Sequence, residues 1–426
     1  MMQSHKMKTA TSRQSYIQTS LILMLLFASW GIWWSFFQIW LTSKDQGLGL
    51  NGSNVGLIFT TNSFVTLIFV FIYGVIQDKL QLKRGLLIVC SCLSTLVAPF
   101  FIWVFVPLIQ HTFGLAIAVG SIFLSSGFLA AIGLFEAVSE KMSRTYHFNY
   151  GQARAWGTFG YAIVALIAGF IFNINPYLNF WLGSVLGLVL LLVLSLWKTV
   201  PQTSNDSGNS SGYMEPVPSI TSMLFLLKVK DIWKIIIFTM FSWSFYTIFE
   251  QQMFPEFYTD LFSSASLGHK AYGTINSIQV FFEAIMMGVV PLIMHKIGVK
   301  RTILIGVSIM FIRIGVSSII SSPYSASVIK MFQALEIPFF VLPMFRYITL
   351  HFDTKLSAVI YMIGYNVSAQ IGQVILSSPL GILRDHLGYQ PTFFVIAIII
   401  CIAGIFGYFT LRKDDDFVYG DVFNKS

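Results

Sequence analysis

Apolar runs of roughly 20 to 26 residues recur along this chain, separated by short polar stretches. Their approximate limits are 17–42, 55–77, 85–109, 113–138, 155–174, 178–197, 231–256, 271–294, 302–321, 325–349, 356–380 and 391–411. An α-helix rises 1.5 Å per residue, so about 20 apolar residues cross the ~30 Å hydrocarbon core of a bilayer. Within lipid the backbone N–H and C=O groups find no water, and a helix satisfies them internally. The pattern therefore predicts an all-α integral membrane protein with twelve transmembrane helices. The first run, Ile17 to Leu41, is too long and too rich in Trp for a cleavable signal segment.

The longest polar stretch, 198–230, contains TSNDSGNSSG at 203–212, a composition that cannot bury a core and reads as a flexible linker. It divides the chain into a tail (1–16), six spans (17–197), the linker, six more spans (231–411) and a second tail (412–426). The halves echo each other. GVIQDKLQLKR at 74–84 follows the second span and PLIMHKIGVKR at 291–301 follows the eighth, 217 residues on, which points to an internal duplication of the kind found in secondary transporters.

Composition narrows the class further. Of the 426 residues 55% are hydrophobic and 10% are charged, against about 25% charged in a soluble domain. The net charge of +8 would by itself allow a nucleic-acid partner, but its distribution excludes that reading. Some 20 of the 26 basic residues lie toward one side of the predicted topology; Lys44, Lys270 and Arg384 lie on the other. This skew places both termini and the linker in the cytoplasm. Cys90, Cys92 and Cys401 sit in apolar runs and imply no disulfide framework. No phosphate-binding loop, dinucleotide fingerprint or His/Cys metal spacing occurs, and no nucleophile with a base is evident, so the chain is not read as an enzyme.

An ionisable side chain at mid-bilayer depth costs about 2.5–3.5 kcal/mol on insertion scales, so it normally faces a cavity or a partner. Glu136, Arg154, Glu250, Glu283, Arg313, Lys330 and Glu336 lie in or beside the apolar runs. Glu136 and Glu250 fall near span ends, where snorkelling to the interface is easiest. Arg154, Thr158 and Tyr161 are spaced i, i+4, i+7, so a guanidinium, a hydroxyl and a ring share one helical face. Paired with a carboxylate such as Glu136, that face suits a polyol: fixed donors and acceptors for sugar hydroxyls, and a ring for the apolar side of a pyranose. In the first span Trp30, Trp33, Trp34, Phe37 and Gln38 form a stripe, and Gln38 turns it toward a cavity. The tenth reads Lys330, Gln333, Glu336, then Pro338, a helix expected to kink. Burial in apolar surroundings favours a neutral carboxylic acid, which makes Glu336 the candidate proton carrier. The eighth carries Asn276, Gln279 and Glu283 on one face, and Arg313 is a ready partner for one of these acids. All seven histidines are expected in tails or loops, leaving proton handling to carboxylates.

The segments GVIQDKLQLKR (74–84), EAVSEKMSR (136–144), YGQARAWGTFGYAI (150–163), WSFYTIFEQQMFPEFY (243–258), YGTINSIQVFFEA (272–284), IKMFQALEIPF (329–339) and SSPLGILRDHLGYQ (377–390) resemble one family across nearly the whole chain. It is the oligosaccharide:proton symporter family of the major facilitator superfamily, typified by lactose permease, and the ARAWGTFGYA and INSIQV segments are most similar to its bacterial sucrose permease branch. The resemblance implies two six-helix bundles around a central cavity, no cofactor beyond the coupling proton, a di- or oligosaccharide as substrate, and a monomer in the lipid of a bacterial cytoplasmic membrane. It implies that Glu136 and Arg154 pair to bind the sugar, that Tyr161 stacks on it where lactose permease has Trp, and that Gln251 and Lys330 line the pocket. It implies further that Glu336 carries the proton with Arg313 and Tyr246 beside it, and that Asp78 and Lys79 belong to a cytoplasmic gating loop. Four departures stand out. Thr247 and Ala369 replace a neutralising Asp and Lys, Val280 stands at a cavity Glu whose role passes to Glu283, Glu250 replaces an Asp, and Gln333 stands at a pocket His. A facilitator that carries the sugar without a proton, or a non-transporting sugar sensor, would keep the same fold; the linker and tail are short for a signalling domain.

Overall fold

The structure, a computed structural model, describes residues 2–79, 84–197, 229–352 and 360–415. Helical segments occupy all twelve apolar runs: α1 (Ser12–Thr42), α2 (Gly52–Tyr73), α3 (Gly85–Thr95 with Val97–His111), α4 (Phe113–Ser143), α5 (Tyr150–Phe172), α6 (Tyr177–Leu196), α7 (Lys230–Gln252), α8 (Ala265–Ile297), α9 (Val299–Ser317), α10 (Pro323–His351), α11 (360–387) and α12 (Tyr389–Thr410). Among the described residues nine are long and apolar enough to cross a membrane, and α3 makes a tenth when its two pieces, bent by 51°, count as one span. The other two expected spans are helical but fall short of that measure. Lys300, Arg301 and Arg313 charge α9, and Asn366, Gln370 and Gln373 make one side of α11 polar.

Helical hydrogen bonding does not stop where hydrophobicity does, and this corrects the placement of five histidines. Because α3 runs to His111, α8 from Ala265 to Ile297, α10 to His351 and α11 to Leu387, residues His111, His269, His295, His351 and His386 lie within helices rather than loops. His269 and His351 are buried. The bulk of the linker, 198–228, and the side chains of Asp78 and Lys79 lie outside the described residues.

Several helices are interrupted in mid-span. Single π-helical turns occur at Phe100–Phe105, Ser125–Leu129, Met240–Ser244 and Met362–Val367, in α3, α4, α7 and α11. Such turns shift the register of every later side chain and recur at functional sites. In α10 the helix breaks at Phe332, between Pro323–Met331 and the segment starting at Gln333, rather than at Pro338.

In the first half α1 packs along α5 and α6. Trp33, fully buried, contacts the rings of Phe101, Phe128 and Phe180 at centroid distances of 5.4, 5.1 and 6.0 Å. In the second half α9 packs on α10 and α12. Two long contacts join the halves, α2 with α11 and α5 with α8. Both are close on the face that carries the loops before Gly52 and after Phe172. A Cβ on Gly56 would lie 2.4 Å from the Ser377 carbonyl oxygen, and one on Gly273 would lie 2.9 Å from the Gly169 Cα, so only glycine permits these approaches.

Candidate functional site

Between the halves lies a cavity of about 250 Å³, lined on one side by Phe27, Trp30, Trp34, Gln38, Arg154, Thr158 and Tyr161, and on the other by Glu250, Gln251, Tyr272, Asn276, Gln279, Val280, Glu283 and Gln333. It adjoins a second chamber of about 590 Å³ that shares Glu250, Gln251, Gln333 and Ile337 with it and reaches Glu136, Trp243, Tyr246, Thr247, Tyr365, Ala369, Gln370 and Gln373. The helical spacing of α5 accounts for the first wall. Arg154 Nε donates to Glu136 Oε1 at 2.5 Å, and its Nη1 donates to Thr158 Oγ1, one turn on, at 3.2 Å. The guanidinium carbon sits 4.1 Å from the Phe27 ring centroid. Beyond it Trp30 lies 5.8 Å from Tyr161 and 5.5 Å from Trp34, a continuous aromatic surface. Trp33, on the same expected stripe, faces the protein core instead, against Phe101, Phe128 and Phe180.

A buried ionic cluster stands behind the second wall. Arg313, with no exposed surface, donates from Nε to Glu336 Oε1 at 2.7 Å and from Nη2 to Glu250 Oε2 at 2.6 Å. The ammonium of Lys330, also fully buried, bonds the other Glu250 oxygen. The rings of Phe249, Phe254 and Tyr246 surround the guanidinium with centroids 4.9, 5.5 and 5.7 Å from its carbon. Two sequence expectations change here. Glu250 does not snorkel: α7 continues past it, and two cations hold it inside. Lys330 does not line either cavity; the break at Phe332 turns its side chain toward Glu250. Gln333, just beyond that break, does reach the cavity. Thr247 and Ala369 both line the larger chamber with no charge on either.

Glu283 differs from the other three acids. Its Oε2 accepts from Gln279 Nε2 at 2.9 Å, and among the described residues no cation lies within 4 Å of it.

Gln38 lines the cavity, but its amide is also engaged at the closed face. It donates to Glu256 Oε2 at 3.3 Å and accepts from the Glu256 backbone N–H at 3.0 Å. Glu256 in turn accepts from Arg384 Nη1 at 3.1 Å and from the Tyr389 hydroxyl. Beside it Asp385 accepts from the backbone N–H groups of Gly52 and Ser53, both at 2.6 Å, capping the N-terminus of α2 from the other half. Sequence reasoning missed this network, since its members come from remote segments and share no period. It also missed Asn366, Gln370 and Gln373, although their i, i+4, i+7 spacing in an apolar run was a usable signal. No group of His, Cys, Asp and Glu among the described residues is arranged to hold a metal ion.

Comparison with known proteins agrees with this arrangement. Residues 8–422 match the LacY proton/sugar symporter family. The chain is 40% identical to the sucrose permease of Escherichia coli over 91% of its own length and 92% of that protein. It is 34% identical to the raffinose permease of Escherichia coli, covering 91% and 90%, and 34% identical to the melibiose permease of Enterobacter cloacae, covering 89% and 88%. Among solved structures it superposes on the nucleoside transporter NupG with a TM-score of 0.78 at 14% identity, covering 93% of this chain and 99% of NupG. A D-xylose-proton symporter matches with a TM-score of 0.65 at 14% identity, covering 94% and 98%, and both likenesses speak to the fold alone.

Proposed function

This chain belongs to the LacY proton/sugar symporter family, and from that premise we propose that it imports a sucrose-like disaccharide with a proton by alternating access. The observation that carries the proposal is the Glu136–Arg154 pair with Thr158, set beside the Trp30 and Tyr161 rings in a closed-ended cavity. A guanidinium already oriented by a carboxylate offers its remaining N–H groups as a fixed fork for adjacent sugar hydroxyls, and the rings cover the apolar face of the sugar. Gln251, Gln279 and Gln333 supply neutral donors and acceptors around it. The 40% identity with a sucrose permease supports sucrose over the galactosides.

In this reading the chain lies in a bacterial cytoplasmic membrane as a monomer, with both termini and the linker 198–230 cytoplasmic and bundles spanning 17–197 and 231–411. The face closed by Gln38, Glu256 and Arg384 is then the outer one, and Asp78 and Lys79 belong to the opposite gate. Glu250, Arg313, Lys330, Glu336 and Tyr246 form the charged framework on which proton coupling rests. Proteoliposomes holding the purified protein test this: sucrose, raffinose, maltose and lactose are offered under an imposed proton gradient, and internal sugar and external pH are followed together. Sucrose accumulation with external alkalinisation is expected. Entry without proton movement would refute symport, and a preference for lactose would refute the sugar assignment.

A further inference from the structure

The network around Glu256 at the closed face is shared unevenly between the two halves. Glu256 lies on the short helix Phe254–Asp260 that follows α7, and its donors Arg384 and Tyr389 lie on α11 and α12, so all three belong to the second half. Gln38 on α1 is the partner that the first half contributes. There the helix is interrupted after Trp34 and resumes at Phe37, which sets Gln38 on a separate short segment, Phe37–Thr42. Both ends of its amide are engaged. Oε1 accepts from the Glu256 backbone N–H at 3.0 Å, while Nε2 donates to Glu256 Oε2 at 3.3 Å and to Thr42 Oγ1 at 3.4 Å.

The same side chain lines the sugar cavity, as does Pro255 beside Glu256. Aromatic rings lead to it from the Glu136–Arg154 pair: Phe27 lies against the guanidinium, Trp30 and Trp34 follow, and Trp34 stacks on Phe37 at 5.3 Å. A two-ring sugar seated at Arg154 extends along these rings toward Gln38.

We propose that Gln38 exchanges partners between the sugar and Glu256, and that this exchange ties sugar binding to the outer gate; the proposal rests on the sucrose reading and the orientation given above. An amide nitrogen has two N–H donors, and with the gate closed both are spent, so a sugar hydroxyl gains one only when Glu256 gives it up. The bond to be given up, at 3.3 Å, is longer than the ~2.9–3.0 Å typical of N–H···O, so the exchange costs little. Glu256 is not left bare, because Arg384 and Tyr389 still donate to it. What is lost is a bond between the halves. The sugar thus makes one more contact with the outer gate open than with it closed, and such a difference in affinity is what moves a conformational equilibrium. Bound sugar favours opening to the outside, and closing the outer gate withdraws the Gln38 bond before release to the inside. The coupling is reciprocal, and one neutral hydrogen bond sets its size at about fivefold.

Calorimetric titration with sucrose at fixed pH, on purified wild type, Glu256→Gln and the double variant Gln38→Leu/Glu256→Gln, tests this. Glu256→Gln loosens the hold on Gln38, so sucrose should bind up to about fivefold more tightly than to wild type. Adding Gln38→Leu takes away the sugar's extra partner and should erase that gain, although it loosens the gate further. A side chain that only fastened the halves together would leave the gain in place or extend it. Equal Kd values for Glu256→Gln and wild type, or a gain that survives Gln38→Leu, overturn the proposal. Absence of sucrose binding to the wild type would remove the sugar reading, and this proposal with it.

Discussion

Replacing Arg154 by Lys keeps the charge and removes the fork. Arginine has five N–H donors; one is bound to Glu136 and one to Thr158, which leaves three toward the cavity. A lysine ammonium cannot meet Glu136, Thr158 and two sugar hydroxyls at once. Hydrogen bonds to charged groups contribute about 1.5–3 kcal/mol each, so losing two costs about 3 kcal/mol at the lower end. The lower end applies because the pair keeps 29% and 32% side-chain exposure and water competes for it. That is a little over 100-fold in sugar Kd. Glu136→Gln should cost a similar factor by releasing the guanidinium, whereas Thr158→Val, which removes one orienting bond, should cost about 1 kcal/mol or fivefold. Calorimetric titration of the three purified variants with sucrose at fixed pH provides the measurement. A Kd for Arg154→Lys within about threefold of wild type would remove the pair from the sugar site.

Glu256→Gln weakens the bonds from Arg384 and Tyr389 that hold the closed face, at about 1–2 kcal/mol, so the ratio of closed to open states should fall about 5- to 30-fold. A cysteine at Phe59, buried on the cavity wall, should then react faster with an impermeant maleimide from outside; an unchanged rate contradicts the latch. Lys330→Met removes one cation from the buried cluster and should destabilise the detergent-solubilised protein by about 3 kcal/mol, and Glu250→Gln added to it should restore most of that loss. If the double variant melts no higher than the single, the cluster is not balanced as described. For topology, a cysteine at Ser266 should be labelled from outside intact cells and one at Ser210 should not; labelling at Ser210 reverses the orientation.

The parts of the site legible in the sequence are those that one regular helix brings together. Arg154, Thr158 and Tyr161 meet because α5 is uninterrupted from Tyr150 to Phe172, so a spacing of 3.6 residues per turn holds along it. The same reasoning failed on α10. Its break at Phe332 separates Lys330 from Gln333 in azimuth, sending one into the ionic cluster and the other to the cavity. The π-helical turns in α4, α7 and α11 carry no signature in hydrophobic period, yet they set which later residues face inward. The outer latch was illegible for a different reason: Gln38, Glu256 and Arg384 are separated by 218 and 128 residues, and only the packed halves make them neighbours.

Charge shows where this boundary falls. The excess of one acid over the buried cations is countable from the sequence, because insertion cost alone marks Glu136, Glu250, Glu283 and Glu336 against Arg154, Arg313 and Lys330. Which acid is left over depends on approach distances that no spacing rule supplies. Depth along the helix favoured Glu336, since it lies well inside an apolar run. Yet depth sets only the desolvation cost; the ion paired against the carboxylate decides whether that cost is met by a proton or by a partner. Arg313 lies 2.7 Å from Glu336 whereas Glu283 is bonded to an amide at 2.9 Å, a difference in partners that the spacing along α8 and α10 does not disclose.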